Sequence, residues 1–484
     1  MRENFDLNVT KYMKKGALCP LDADEETKNK FLRAIGIKRS EESKTKFNAN
    51  IMAEYIRANA SIVSLDGRKL AIHNGKFYDI INAESIIKHI IHELLNSVGK
   101  YWTTQREKEV LESLKCSFNR HIKEMDTANF INLQNGVLNL DVLELEGHSA
   151  KHYCSSVIET NYDVNSKCPQ WLKFLNQIFN QDQERIDLLQ EFFGSCISNQ
   201  CTGKAAIFYG SGMNGKSVVA DVLKSLIGEN AVSHLSLERF ETQFGLQSLI
   251  GKRLNVASEL ETGDYKLSTA NFKAVCTGDP VHINIKYEAP IETVLNCKLL
   301  FLTNNLPDTL DTSYGFFRRL IIFPFDYTVK EDEKDMHLSD KLKSELSGIL
   351  NWAIEGLKRL ERANYNFTKC EAAESCLETY KNELNNVSDF FAECFIVDDE
   401  NRIRKSEIYN YYLKYCYLNS NQSVPRQEFW MKLKSHLAQN KVRYAVKKNN
   451  GIEYIVGFKV NREIDFEIPT VEIAKPEDPY EIKF

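Results

Sequence analysis

Ile207-Phe208-Tyr209-Gly210-Ser211-Gly212-Met213-Asn214-Gly215-Lys216-Ser217, followed by Val218-Val219-Ala220-Asp221-Val222-Leu223, reads as a buried strand, a glycine-rich loop and a helix. The spacing G-x-x-x-x-G-K-S has a physical reason. Glycines let backbone N–H groups close around phosphate oxygens, Lys216 reaches the β- and γ-phosphates, and Ser217 is placed to ligate Mg²⁺. Gly210, Ser211, Gly212, Met213, Asn214, Gly215, Lys216 and Ser217 therefore form the expected nucleotide cradle, with ATP and Mg²⁺ as implied ligands. A chance glycine-lysine turn would lack the strand before it and the helix after it.

Working outward, strand-like runs return at Arg253-Leu254-Asn255-Val256-Ala257-Ser258, Lys298-Leu299-Leu300-Phe301-Leu302-Thr303 and Leu320-Ile321-Ile322-Phe323. Such runs predict an α/β core with a largely parallel sheet. Upstream, Trp171, Phe174, Leu175, Ile178 and Phe179, then Leu188, Leu189, Phe192 and Phe193, recur at helical spacing. The core is expected over 166–335. Residues 338–380 read as a long amphipathic helical stretch, with Leu346, Ile349, Leu350, Ala353, Ile354 and Leu357 on one face, and 336–386 is expected as a helical lid or linker. Residues 1–165 read as an N-terminal α+β domain of uncertain role. It carries a helix at 83–95 and a hairpin at 130–140 around Asn135-Gly136. A third unit spans 387–465, and 466–484 is a Pro-interrupted acidic tail.

A chain of 484 residues has room for about three domains. No apolar run reaches the length that crosses a membrane, and Met1-Arg2-Glu3-Asn4-Phe5 lacks a signal peptide's apolar core, so no membrane partner and a cytoplasmic location are expected. The 12 cysteines contain no C-x-x-C pair, which suggests neither zinc nor a disulfide framework. A net charge of -5 argues against a uniformly basic nucleic-acid binder but leaves room for local patches.

Beside a P-loop, a carboxylate at a strand end is placed to polarise the attacking water, and the strand ending at Ser258 runs into Glu259-Leu260-Glu261. The strand ending at Thr303 runs into Asn304-Asn305, setting an amide near the γ-phosphate. Phe316-Phe317-Arg318-Arg319 offers a guanidinium pair of the kind that completes a neighbouring subunit's site. Taken singly, a strand-end Asn is more often a turn residue and an Arg pair more often a solvated charge pair.

In order and spacing these motifs resemble the superfamily 3 AAA+ helicases, a group that includes the large T antigens and the parvovirus and papillomavirus helicases. Within it the likeness is greatest to the phage and plasmid primase-helicase family. The resemblance rests on Gly210 to Ser217, Arg253 to Glu259, Lys273-Ala274-Val275-Cys276-Thr277-Gly278-Asp279-Pro280, Leu302-Thr303-Asn304-Asn305-Leu306-Pro307 and Gly315-Phe316-Phe317-Arg318-Arg319-Leu320. Weaker likeness extends to Asn135-Gly136-Val137-Leu138 and to Gly348-Ile349-Leu350-Asn351-Trp352-Ala353. It implies a homo-oligomeric, usually hexameric ring with ATP and Mg²⁺ between subunits and 3′→5′ movement. Lys216 and Ser217 would hold the nucleotide, Glu259 would act on water, Asn304 would sense the γ-phosphate, and Arg319, or else Arg318, would reach across. One departure stands out: many members carry two adjacent acids where this chain has Ser258-Glu259, which leaves Ser217 and water to hold Mg²⁺, with Glu261 in reserve.

Val281-His282-Ile283-Asn284-Ile285 alternates as a strand, and Lys286-Tyr287-Glu288-Ala289-Pro290 suits the tip of a hairpin. The resemblance places that hairpin in a central channel. There Lys286 would meet phosphate and Tyr287 would press on sugar or base; the plain alternative is a solvated tip. Near the C-terminus, 406–418 and 425–437 read as helices, and strands at 443–447 and 452–458 flank Asn450-Gly451. That order resembles a winged helix. From Asn401 to Arg462 thirteen basic residues, among them Arg426, Lys432, Lys434, Lys447 and Lys448, face three acids, Glu407, Glu428 and Glu453, a local charge of +10 that favours duplex DNA.

The leading expectation is an ATP-dependent DNA helicase and replication initiator of a phage, plasmid or mobile genomic island, binding single- and double-stranded DNA. One alternative is a bifunctional primase-helicase, which needs an acid pair on adjacent strands; Asp22-Ala23-Asp24 sits in a polar segment without a strand pattern. Priming would then fall to a separate primase. The other alternative is a P-loop ATPase that remodels proteins or phosphorylates a small molecule.

Overall fold

The computed structural model describes residues 9–20, 22–39, 45–65, 69–116, 125–126, 129–258, 269–286, 289–307, 309, 311, 313–330, 335, 337–419 and 423–461. Glu259, Glu261, Tyr287 and the tail 466–484 lie outside them. The chain divides into two units: Met1–Leu260, Ala270–Asn305 and Ile321–Ala372 form the first, and Glu261–Thr269, Leu306–Leu320 and Ala373–Phe484 the second.

The first unit begins with α1 (Glu25–Ala34), the short pair β1 (Ile37–Lys38) and β2 (Lys46–Phe47), α2 (Ala49–Asn59), and an antiparallel sheet of β3 (Ile62–Leu65), β4 (Lys69–His73) and β5 (Tyr78–Asp79). Helices α3 (Ala83–Asn96) and α4 (Thr104–Cys116) follow. Ile86, Ile87, Ile90, Ile91, Leu94 and Leu95 lie on one stripe of α3 and bury against Met52, Ile56, Ile72 and Leu114. The acid pair at the start has a structural use, since Asp24 caps α1 by accepting from the Thr27 N–H at 2.7 Å. Hydrogen bonds from the Thr27 side chain and then from its N–H hold the Asp24 carboxyl below the ordinary carboxylate range. The hairpin expected around Asn135-Gly136 is present: β6 (Phe130–Leu133) pairs with β7 (Gly136–Asn139), and β8 (Glu144–Glu146) completes that sheet. Gly136 has φ +155°, and a Cβ there would stand 2.4 Å from the Glu146 carbonyl oxygen.

Helices α5 (Pro169–Ile178) and α6 (Gln183–Ile197) lead into β9 (Ala205–Tyr209) and α7 (Lys216–Ile227). The chain continues through β10 (Val232–Ser233), β11 (Leu254–Ser258), α8 (Ala270–Thr277), the hairpin of β12 (Pro280–Ile283) and β13 (Ile291–Val294), and β14 (Lys298–Thr303). After the four-residue α9 (Tyr314–Phe317) comes β15 (Leu320–Pro324). The central sheet runs β10-β11-β14-β9-β15, and β10, β11, β14 and β9 are parallel. Every residue of β14 is buried, as covering both faces of a parallel sheet requires. All three strands expected from the sequence are present.

The stretch expected as a lid or linker divides. Helices α10 (Leu338–Lys343) and α11 (Leu346–Arg362) belong to the first unit, and α12 (Glu371–Cys394) passes into the second from Ala373. Glycines let α11 lie against α6: a Cβ on Gly194 would stand 2.4 Å from the Leu357 nitrogen, and one on Gly356 would stand 2.3 Å from the Gln190 carbonyl oxygen. Glu191, fully buried on α6, accepts from Arg359 Nε at 2.7 Å and from the Thr368 N–H at 2.7 Å.

In the second unit α12 is followed by β16 (Phe395–Arg404), α13 (Lys405–Leu418), α14 (Arg426–Gln439), β17 (Ala445–Asn449) and β18 (Ile452–Val460). The three strands form an antiparallel sheet in the order β16-β18-β17. Phe390, Phe391, Tyr412, Phe429, Leu433 and Phe458 make its core. Asn450 (φ 48°) and Gly451 (φ 81°) are both left-handed, the conformation a two-residue hairpin turn demands.

Candidate nucleotide site and basic surfaces

The loop after β9 is held from three sides before any ligand is considered. Asn214, 3% exposed, donates from Nδ2 to the Phe325 carbonyl oxygen at 3.0 Å and to the Ser211 carbonyl oxygen. The backbone just beyond β15 clasps the same region, with Phe325 N donating to Tyr209 O at 2.7 Å and Val329 N donating to Met213 O at 2.9 Å. Beneath, a Cβ on Gly215 (φ +89°) would stand 3.1 Å from both Phe174 and Ile178 of α5. Glycine is therefore needed at 215 both for backbone conformation and for closeness.

Gly215 is the N-cap of α7 and offers no side-chain acceptor; Lys216 N donates to Asn214 Oδ1 at 3.5 Å, and the rest of the first turn has no side-chain cap. Lys216, 7% exposed, donates from Nζ to the carbonyl oxygens of Gly210 and Ser211 and to Asn304 Oδ1 at 3.2 Å. Burial pushes its ammonium below the ordinary lysine range. Asn304 stands at the end of β14, next to β9 in the sheet, so two motifs 88 residues apart meet across neighbouring strands. Thr303 fixes that strand end by accepting from the Asn305 N–H at 3.1 Å. Ser211, Gly212, Met213 and Ser217 are exposed on the mouth of the loop.

A polyphosphate fits this donor set, because uncapped helix N–H groups, a lysine and a hydroxyl converge where the dipole of α7 favours negative charge. The metal side is leaner. Ser217 on α7 and Ser258 at the exposed end of β11 supply hydroxyls, and the acids that follow Ser258 lie outside the described residues.

Asn214 was legible in sequence as part of the loop, but its tie to Phe325 was not. Asn214→Ala is expected to raise the KM for ATP about fivefold, the worth of one neutral hydrogen bond. Steady-state hydrolysis checks this, and an unchanged KM would show that the tie does not shape the loop.

In the second unit the guanidinium pair separates. Arg319 is 9% exposed, donates from Nη1 to the Gly315 carbonyl oxygen and keeps a buried Nε without a partner. Arg318 is exposed, with its guanidinium 5.8 Å from the ring centre of Tyr314, itself 79% exposed.

Lys286 is exposed on the connection between β12 and β13. Around α14, Arg426, Lys434, Lys447 and Lys448 are exposed. Lys432 differs from that set: its side chain is 9% exposed and pairs with Glu428 one turn back at 3.0 Å. Among the described residues no helix is long and apolar enough to cross a membrane.

Three family models match this chain in succession. D5 N terminal like covers residues 25–180, a family of unknown function (DUF5906) covers 208–319, and Poxvirus D5 protein-like covers 382–467. The second spans the loop after β9, strand β14 and the arginine pair. Among curated proteins, the helicase-named 184R of Invertebrate iridescent virus 6 is 21% identical over 364 residues, covering 65% of this chain and 37% of that protein. The helicase-named L207/L206 of Acanthamoeba polyphaga mimivirus is 21% identical over 271 residues, covering 52% of this chain and 26% of that one. Replication protein E1 of cottontail rabbit papillomavirus is 28% identical over 120 residues, covering 25% and 19%. The chain thus spans well under half the length of these relatives. Among solved structures, the apo C-terminal region of NrS-1 has a TM-score of 0.47 at 16% identity, covering 92% of this chain and all of that one.

Proposed function

We propose that this chain is an ATP-driven DNA helicase of the superfamily 3 type, which unwinds duplex DNA in replication and engages an origin of a virus, phage or mobile element. It acts in the cytoplasm as a hexameric ring, with ATP and Mg²⁺ as cofactors and a separate primase as partner. The observation that carries this reading is the meeting of Lys216 Nζ and Asn304 Oδ1 at 3.2 Å, a phosphate-binding lysine beside a strand-end amide. Relatives named as helicases and as a replication protein supply the class of work. Bound ATP supplies the free energy through hydrolysis of its γ-phosphate. The chain's own groups hold it: Lys216 and the first turn of α7 on the phosphates, Ser217 on the metal, Asn304 at the γ end, and Glu259 on water.

Lys286 and Tyr287 are read as the channel grip. The order helix-strand-helix-helix-strand-strand, with the middle strand last in sequence, supports a winged helix in the second unit. Arg426, Lys434, Lys447 and Lys448 are its exposed cations for duplex DNA. Unwinding of a forked duplex tests the reading. Lys286→Ala is expected to lose unwinding more than tenfold, as loss of a phosphate contact at the moving grip implies. ATP hydrolysis by wild type that neither responds to DNA nor drives unwinding would replace this reading with a remodelling ATPase.

Exposure favours Arg318 over Arg319 as the residue offered to a neighbouring subunit. Arg318→Ala is expected to lower kcat by at least about 10²-fold with an unchanged melting temperature. Mixing it with Lys216→Ala subunits, which keep their own Arg318, restores part of the rate if the residue acts in trans. No recovery on mixing, beside a melting temperature that does fall, would make Arg318 a structural residue.

A further inference from the structure

The second unit contains a cavity of about 610 Å³ where the starts of three elements come together. Lys405 and Ser406 open α13, Arg426 and Gln427 open α14, and Glu453 lies at the start of β18. Trp430, one turn into α14, forms a further wall. The volume is in the range that holds one small ligand.

Its lining has a defined chemistry. Lys405 Nζ stands 5.2 Å from the Trp430 ring centre and 2.7 Å from Glu453 Oε2, so the cation is held at the cavity wall by an aromatic face and a carboxylate. Arg426 is exposed beside it, with its guanidinium 5.9 Å from the ring centre of Tyr409. Both 14-residue helices start without a side-chain cap, since Arg404 and Pro425 supply no acceptor. Two helix N-termini and two cations thus surround one opening, set against Glu453 of the lining and Glu407 and Glu428 in the first turns of the helices.

Resting on the DNA-binding reading of this unit, we propose that the cavity takes a single nucleotide, its phosphate against Lys405, Arg426 and the starts of α13 and α14, and its base beside Trp430. The natural source is an unpaired nucleotide at a duplex end or fork; a free nucleoside monophosphate carries the same chemistry. A duplex groove would engage the exposed lysines of β17 but would not need an aromatic-walled cavity of this size.

The test uses the full chain, without ATP, and compares its affinity for a blunt DNA hairpin with that for the same hairpin carrying a three-nucleotide overhang. Wild type is expected to favour the overhang about tenfold, the scale of one base stacked on an aromatic ring. Trp430→Leu removes the ring. Because Trp430 also packs on the core, Gln427→Glu serves as the second variant: an acid in the first turn suits the helix dipole yet repels phosphate in the cavity. In both the ratio is expected to fall to near one. Excess dAMP that erases the wild-type ratio points to a pocket open to free nucleotide as well, and a ratio that survives it assigns the pocket to the strand. Equal wild-type affinity for the two hairpins overturns the proposal, as does a ratio that both variants leave intact. ATP hydrolysis indifferent to DNA, with the ratio intact, sinks the motor reading and leaves the pocket standing.

Discussion

Lys216→Ala is expected to lower ATP hydrolysis by about 10³-fold, the scale on which one preorganised charge acts on a developing phosphoryl charge. Lys216 donates to Gly210 O, Ser211 O and Asn304 Oδ1, which holds its ammonium at the centre of the loop. Removing it deletes a cation whose charged state burial already disfavours, which offsets the loss of its buried stem and its three hydrogen bonds. The melting temperature should therefore hold. Lys216→Arg should not rescue the rate, because a planar guanidinium does not replace a compact ammonium in a site closed over by Gly210 and Asn304. Phosphate release under single turnover measures the effect, and residual hydrolysis above a tenth of wild type would remove Lys216 from the centre of the mechanism.

Arg359→Ala should have the largest effect on stability. Glu191 is fully buried on α6, and Arg359 bonds it at 2.7 Å while also donating to Gln190 Oε1 at 2.8 Å and to the Asp187 carbonyl oxygen at 2.7 Å. Deleting the arginine leaves a buried carboxylate facing only Thr368, a loss of about 3–5 kcal/mol. For a domain of this size that is roughly 10 °C in melting temperature. Glu191→Gln should cost less, since a neutral amide still accepts from Thr368 and leaves a partly exposed arginine that water can reach. Thermal unfolding of both variants checks the order, and an Arg359→Ala chain that melts within 2–3 °C of wild type, about 1 kcal/mol on the same scale, would mean that α11 is not anchored through this pair.

The loop from Gly210 to Ser217 was legible because the reading proposed for it acts through local sequence. A strand, three glycines and a lysine at the helix start must be consecutive to wrap a phosphate, so Gly210 to Ser217 could be read without knowing what surrounds them. Asn304 was legible for a related reason: parallel strands end on the same side of a sheet, which makes a strand-end polar residue a candidate wherever the loop's strand lies. The arginine pair shows where such reasoning stops. Arg318 and Arg319 are adjacent in composition and charge, and the difference between an exposed guanidinium and a buried one depends on which side of a single turn packs inward. Lys432 was counted with the free cations, although Glu428 four residues earlier is the helical pairing that covers it.

By itself the sequence determined the α/β character of the core, strands within 253–258, 298–303 and 320–323, the turn at Asn450-Gly451 and the strand-loop-helix course around Gly210 to Ser217. These depend on periodicity and backbone freedom within a few residues. Tertiary structure alone decided that β14 stands between β9 and β11, that Asn214 is tied to Phe325, that glycines 194 and 356 let α11 lie on α6, and that the starts of α13, α14 and β18 line one open pocket. Each of those joins residues far apart along the chain. Which distant surfaces meet is set by how all the apolar faces are buried at once, and no short stretch of sequence records that sum.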